Sequence, residues 1–362
     1  MAFPPPGVHP PENLPSPLGR YTLQRIVGRG AAGVVYLATL NGPAGFRKRI
    51  ALKLVPAGSS AEVVSEARFG ALLDHPNIVG IYDLTREGPW WLIAMEWVPG
   101  PTLLDVLQTG GPMPGLALQQ LGVQIADALW HAHSLEIDDR PHPIVHRDLK
   151  PSNVLITPAA LVKVADLGLA TLSGATPDVP VGTPGYMAPE QLVMGGAVDA
   201  RADQFALGIL LAEMALGRRM VLGKTVEDVR ARHRRIANEL TGGVLQKQLD
   251  SCLPGLGDVV ARCLASLPSD RFADCRAVRG AILALDSEGD SLADFLPEES
   301  ETGAAPDDDA TSLAIGPSNI PASDEDALIG RTNDLVKLAA AVQDHRLVAV
   351  HGPGGMGKSA LV

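Results

Sequence analysis

A change of hydrophobic period near Gly100 constrains this chain more than any other feature. Before it, apolar runs at Tyr21–Val27, Val34–Leu40, Ile50–Val55, Ile78–Leu84 and Trp91–Met95 are short, partly β-branched and bounded by Gly or Pro, as strands are. One helical pattern, Ala61–Leu73, interrupts them, with Val63, Ala67 and Ala71 at helical spacing. After Gly100 the pattern is mostly helical. Ala117–His133 and Asp203–Leu216 are the clearest segments, and Asp258–Ser266 and Arg276–Leu285 follow. A small β-rich lobe followed by a larger helical one predicts an α+β molecule with a cleft where the lobes meet, the usual place for a ligand.

At 362 residues the chain is long for a single core. Residues 1–20 are Pro-rich and read as a disordered lead-in, with neither the basic n-region nor the apolar run of a signal peptide. Residues 21–285 read as one folded domain. Asp286–Asp326 carries acidic residues throughout and no Lys or Arg, so essentially all of the net charge of −11 sits there. Its low hydrophobicity and lack of period predict a flexible linker over 286–326. Order is expected again over 327–362. The rest of the chain is near neutral, which argues against nucleic acid as a partner. No apolar stretch approaches the length of a membrane span. Cys252, Cys263 and Cys275 are odd in number and lack C-x-x-C spacing, so they read as small apolar residues of a reducing, cytoplasmic protein.

Gly28-x-Gly30-x-x-Gly33-x-Val35 lies between two strand-like runs. A dinucleotide fingerprint would open a helix after its glycines, whereas this one continues into another strand, a setting in which backbone amides can approach phosphates. In Ile50-Ala51-Leu52-Lys53, Ala51 and Lys53 share a strand face. Ala51 leaves room for a flat base, Lys53 can reach phosphates, and Glu66 can orient the lysine. The most specific segment is His146-Arg147-Asp148-Leu149-Lys150-Pro151-Ser152-Asn153, followed by Asp166-Leu167-Gly168 and then Ala188-Pro189-Glu190. In this order, from Tyr21 to Leu285, the sequence resembles the eukaryotic-like protein kinases, and its composition suggests a bacterial signalling member.

The resemblance implies a bilobal fold and transfer of the γ-phosphoryl group of Mg²⁺-ATP to protein hydroxyls. Asp148 would accept the substrate proton, and Lys150 would neutralise charge on the transferring group. Asn153 and Asp166 would hold Mg²⁺. Lys53, fixed by Glu66, would hold the α- and β-phosphates under Gly28, Gly30 and Gly33. Val27, Val35, Ala51 and Leu155 would enclose the base, beside Met95 as gatekeeper and a hinge of Glu96-Trp97-Val98. Asp203 would anchor the catalytic loop, and Arg271 would pair with Glu190. Lys150 and Thr183, which crowd the floor near Asp148, resemble the Ser/Thr rather than the Tyr kinases. Thr171, Ser173 and Thr176 are candidates for autophosphorylation that orders the activation segment against Arg147, through self-association in trans. His131 and His133 read as packing or surface residues.

One departure is Gly70, a turn after Glu66, where the family usually places a spine side chain. It predicts a loosely seated helix, and a rise in basal activity for Gly70→Leu. A second nucleotide motif, Gly352-Pro353-Gly354-Gly355-Met356-Gly357-Lys358-Ser359, follows the apolar run Leu347–Val350. It resembles the P-loop of AAA-like and signal-transduction ATPases, with Lys358 on phosphate and Ser359 on Mg²⁺. Because the chain closes three residues later, the expectation is an NTPase opening that hydrolyses nothing here. The competing reading is a pseudokinase, a scaffold module regulating a C-terminal ATPase.

Overall fold

A computed structural model describes residues 9–30, 33–57, 67–109, 111–166, 171–172, 182–221 and 225–296. Glu66, Ser173, Thr176 and the second motif with Gly352, Gly357, Lys358 and Ser359 lie outside these residues.

The strand-like runs before Gly100 assemble into one antiparallel sheet of order β1-β2-β3-β4-β6-β5. Its strands are β1 (Ser16–Leu18), β2 (Tyr21–Gly30), β3 (Gly33–Asn41), β4 (Arg47–Pro56), β5 (Ile81–Glu87) and β6 (Trp90–Glu96). Their period of two sorts side chains between the faces. Tyr21, Leu23, Tyr36, Ile50, Leu52, Leu54 and Leu92 fill one face. The other face carries Val55 and Ile93, against which Ala67, Ile81 and Met95 pack. The same face carries the candidate nucleotide residues, because Val35 lies opposite Lys53 and Ala51 opposite Met95. Register thus gathers residues scattered along the sequence onto one face.

Two expectations for this lobe change. The lead-in is structured from residue 9 onward: β1 pairs with β2, Leu14 packs on the core, and Tyr36 Oη donates to the Pro11 carbonyl at 2.9 Å. Apolar Leu14 and Leu18, set between prolines, supply the burial that a Pro-rich reading overlooks. Nor is the slot at Gly70 empty. This glycine is buried, and the side chain of Ile81 fills the space a substituent would need.

The helical lobe is built around α2 (Gly115–His133) and α3 (Arg201–Leu216). Every residue of α3 from Ala202 to Ala215 is buried, which marks a core helix wrapped on all sides. It stops at Gly217, whose φ of 61° is the left-handed conformation that terminates helices. Gly122 lets α2 approach α3 closely, since a Cβ there would stand 2.8 Å from a Leu211 methyl. Around this pair lie α1 (Leu103–Gln108), α4 (Val226–Thr241), α5 (Val244–Cys252), α6 (Leu256–Cys263) and α7 (Cys275–Leu283). Two-residue pairings, β7 (Glu136–Ile137) with β8 (Arg140–Pro141) and β9 (Ile144–Val145) with β12 (Thr171–Leu172), and a ribbon of β10 (Val154–Ile156) with β11 (Val162–Val164), complete it.

Residues 286–296, where linker was expected, are structured. A short helix, α8 (Leu292–Phe295), opens with a Ser291–Asp294 capping box and buries Leu292 completely. Gln119 Nε2 on α2 donates to the Leu285 carbonyl at 2.7 Å, and the Leu292 N–H donates to Gln120 Oε1 at 2.7 Å. Among the described residues no helix is long and apolar enough to cross a membrane.

Candidate active site

The octamer His146–Asn153 runs between β9 and β10, whose buried Ile144, Val145 and Val154 fix both of its ends. Asp203, in the first turn of α3, holds its opening residues. Its two carboxylate oxygens accept the backbone N–H groups of His146 (2.8 Å) and Arg147 (2.9 Å). His133, from the last turn of α2, adds its Nε2 at 2.7 Å. Burial pushes the Asp203 carboxyl up, but the His133 hydrogen bond, the nearby imidazoles and the Arg147 N–H outweigh it and hold the pKa below the usual value. These bonds sustain a φ of 66° at Arg147, a left-handed backbone uncommon outside glycine. The Arg147 carbonyl accepts from Gln191 Nε2 at 3.1 Å, and Gly182 passes so close that a Cβ there would stand 2.7 Å from it.

That clamp presents Asp148, which is 7% exposed. Asp148 Oδ1 accepts the Thr183 N–H at 2.8 Å and the Thr183 hydroxyl at 2.6 Å. Lys150 Nζ donates to Oδ2 at 2.7 Å and to Thr183 Oγ1 at 3.1 Å. Asn153 Nδ2 donates to the Asp148 carbonyl at 2.9 Å, which orients the amide and leaves Oδ1 as its acceptor, 3.5 Å from the Ser152 hydroxyl.

The ribbon of β10 and β11 brings in the second acid. The Ala165 N–H donates to the Asn153 carbonyl at 2.8 Å, and Asp166 follows with a φ of 62°. Lys53 Nζ, almost buried under the sheet, donates to Asp166 Oδ1 at 2.8 Å, while 43% of the Asp166 side chain stays open. Packing around the carboxylate works to raise its pKa. The Lys53 charge and hydrogen bond, with Lys150 and His146 further off, override it and hold the pKa well below the usual carboxylate range. Glu66, the expected partner of Lys53, is outside the described residues.

Along the cleft wall, Ala51 is 8% exposed and Leu155 half-buried, with Val35 nearby on the sheet face. Gly33 has a φ of 150° and lies against the Leu54 carbonyl, so packing itself requires glycine there. Gly28 and Gly30 differ: nothing described lies within 4 Å of a Cβ built on either. Packing therefore does not demand glycine at those two positions, which suits a loop shaped for something outside the chain. At the expected hinge, Val98 is buried and the Glu96 N–H donates to the Gly80 carbonyl at 2.8 Å. Glu96 Oε2 accepts from the Gly80 N–H at 3.3 Å and from Lys163 Nζ at 2.8 Å. Below the site, Arg271 is 3% exposed and grips Glu190 in a two-bond fork at 2.6 and 2.8 Å, as the sequence led us to expect.

Among the described residues no cluster of three or more His, Cys, Asp or Glu side chains is arranged for a metal. Asp166 and Asn153 offer two hard oxygens, one of them ionised. That set fits a divalent cation completing its shell with phosphate and water. His133, read as a packing residue, belongs to the loop anchor. A histidine ending the helix before a buried aspartate was the only signal for it. Lys163 was also missed, its charge alternating with two valines on a short strand. Thr171 falls in β12, and its backbone pairs with Val145.

A sequence model of the family described as protein kinase domain matches residues 21–280. The chain belongs to the protein kinase domain family. It is 34% identical over 225 residues to the serine/threonine-protein kinase PrkC of Bacillus subtilis, covering 59% of this chain and 33% of that protein. It is 31% identical over 286 residues to PknB of Mycobacterium leprae, covering 74% of this chain and 43% of that protein. With Pkn1 of Myxococcus xanthus it shares 34% identity over 280 residues, covering 73% and 38%. The alignments thus span less than half the length of each of these relatives.

Proposed function

We propose that the chain is an ATP-dependent serine/threonine protein kinase, acting in a bacterial cytoplasm on protein hydroxyls. The observation that carries this reading is the pairing of two acids within one framework. Asp148 is held by Lys150 and Thr183, and Asp166 is held by Lys53.

In this reading Asp148 aligns the substrate hydroxyl and receives its proton as the new O–P bond forms and the bond from the γ-phosphorus to the β,γ-bridging oxygen breaks. Lys150, already beside Asp148, faces the charge spread over the transferring group. Lys53 binds the α- and β-phosphates. Val27, Val35, Ala51 and Leu155 enclose the base, with Met95 at its edge and the backbone of Glu96 and Val98 for its polar edge. Asn153 and Asp166 hold Mg²⁺, which when bound neutralises phosphate charge and fixes its orientation. Thr171, Ser173 and Thr176 remain the proposed autophosphorylation sites, reached in trans. Residues 327–362 remain a proposed P-loop NTPase opening, supported by sequence alone.

Mg²⁺-dependent transfer from γ-labelled ATP to the chain and to a generic basic protein tests this reading, beside Asp148→Asn. Label on both acceptors with the native chain, and none with the variant, is the expected result. Nucleotide binding without label on either acceptor would instead favour the pseudokinase, or a kinase that needs further C-terminal chain to act.

A further inference from the structure

We infer that Lys163 is a positioning residue for the nucleotide, holding the hinge at Glu96 in register with the strand that leads to Asp166. The inference rests on the kinase reading and adds to it a side chain that none of the sequence motifs singles out.

Lys163 is central to β11 and only 8% exposed. A lysine so placed needs a partner, since burying an ammonium is unfavourable unless it is paired and hydrogen-bonded. Both conditions are met: Nζ stands 2.8 Å from Glu96 Oε2 and 3.4 Å from the Ile78 carbonyl. Among the described residues Lys163 is the only ion-pair partner of Glu96. The carboxylate oxygen it touches also accepts the Gly80 N–H, and the Glu96 N–H returns to the Gly80 carbonyl. The hinge residue is therefore held through its backbone and its side chain together.

The other end of the latch is equally defined. Lys163 lies opposite Leu155, the residue proposed beneath the base, and directly opposed residues share a face of a ribbon. Beyond it, the Val164 N–H donates to the Asn77 carbonyl at 2.8 Å and the Val164 carbonyl accepts from Val79 at 2.9 Å. Asp166 follows two residues later. One part-buried ion pair thus ties the proposed adenine end of the cleft to the strand feeding the proposed metal end. Losing it leaves the chemistry of Asp148 in place and loosens the adenine end, so the effect should fall on nucleotide affinity.

The test uses the full chain with Lys163→Met, Lys163→Arg, Glu96→Gln and the Lys163→Met/Glu96→Gln double variant. A fluorescent ATP analogue is titrated directly, and KM for ATP and kcat are measured in the transfer assay. Lys163→Met should weaken nucleotide binding and raise KM by about tenfold, equal to about 1.4 kcal/mol, with kcat within about twofold of native. Lys163→Arg should recover most of the affinity. The double variant should be no weaker than the worse single, because both remove the same pair. A purely structural role would lower the melting temperature without separating KM from kcat. Should Lys163→Met not fold, Glu96→Gln carries the same expectation. Unchanged affinity in a folded variant overturns the inference. So does a change in kcat alone, in either direction. The titration needs no transfer, so a native chain that binds nucleotide but moves no phosphate would defeat the kinase reading while leaving the latch to be judged by affinity.

Discussion

Ile81 packs over Gly70 so closely that its Cδ1 would overlap a Cβ on that glycine, and its Cγ1 would stand 3.0 Å away. Position 81 thus supplies from β5 the bulk that position 70 lacks. The seat of the helical turn at residues 67–71 is filled, not vacant, and this reverses the sign expected for Gly70→Leu. Overpacking a filled site costs about 1–3 kcal/mol, so the substitution should lower the melting temperature and the transfer rate. Adding Ile81→Ala should restore at least half of the loss, because it clears the space. A rise in basal activity for Gly70→Leu alone would show that Ile81 does not occupy that seat in solution.

The anchor at Asp203 makes a prediction in pH. Its folded pKa is depressed against the opposing effect of burial, by His133, His146 and the backbone of Arg147. A depressed carboxyl contributes stability that is fully present above the unfolded value of about 3.9. That contribution falls away as pH drops through the lower folded value. The gap in melting temperature between the native chain and Asp203→Asn should be constant from pH 7 to about 5 and close below about pH 4. A gap that narrows on the alkaline side would mean another group titrates with it.

Much of this site was legible because its chemistry is concentrated in one contiguous octamer and in charged residues on short strands. Lys53 and Asp166 could be read from their neighbours, and the Arg271–Glu190 fork from two short motifs far apart. What escaped was contact made across elements. Period and propensity carry no information about which side chain from β5 lies over Gly70, or that a helix-ending histidine meets the carboxylate of Asp203. The amphipathic helix α4 was missed because Arg230, Arg232, Arg234 and Arg235 thin its apolar stripe to Val229, Ile236 and Leu240. Its Thr225–Asp228 capping box was the available signal.

Thr183 should matter through its hydroxyl more than through its size. It donates to Asp148 while accepting from Lys150, and so fixes the distance between the proposed base and the proposed phosphate-facing cation. Thr183→Val keeps the volume and removes both bonds, leaving Asp148 with the Thr183 backbone N–H and Lys150. The expected result is a fall in kcat of about 10- to 100-fold, from loss of orientation around a general base, with KM for ATP little changed. Thr183→Ser should stay within about threefold of native if the hydroxyl is what counts. Equal losses in the serine and valine variants would assign the role to the threonine methyl instead.

Leu292 tests whether the ordered segment after α7 belongs energetically to the helical lobe. It is fully buried, and its N–H is already committed to Gln120 on α2. Five residues earlier the Ser287 hydroxyl donates to Gln119 Oε1 at 2.6 Å, so polar bonds hold the segment ahead of the apolar plug and at it. Truncating a buried leucine costs about 2–5 kcal/mol. The low end applies here, because a four-residue helix can peel away and spare the lobe a permanent cavity. Leu292→Ala should therefore lower stability by about 2 kcal/mol and open the chain after Leu285 to protease. A chain ending at Asp286 should show the same loss of stability as the point variant, since both remove the plug. If the point variant is destabilised but the shortened chain is not, the penalty arises from a badly filled cavity, and the segment contributes no net stability to the lobe.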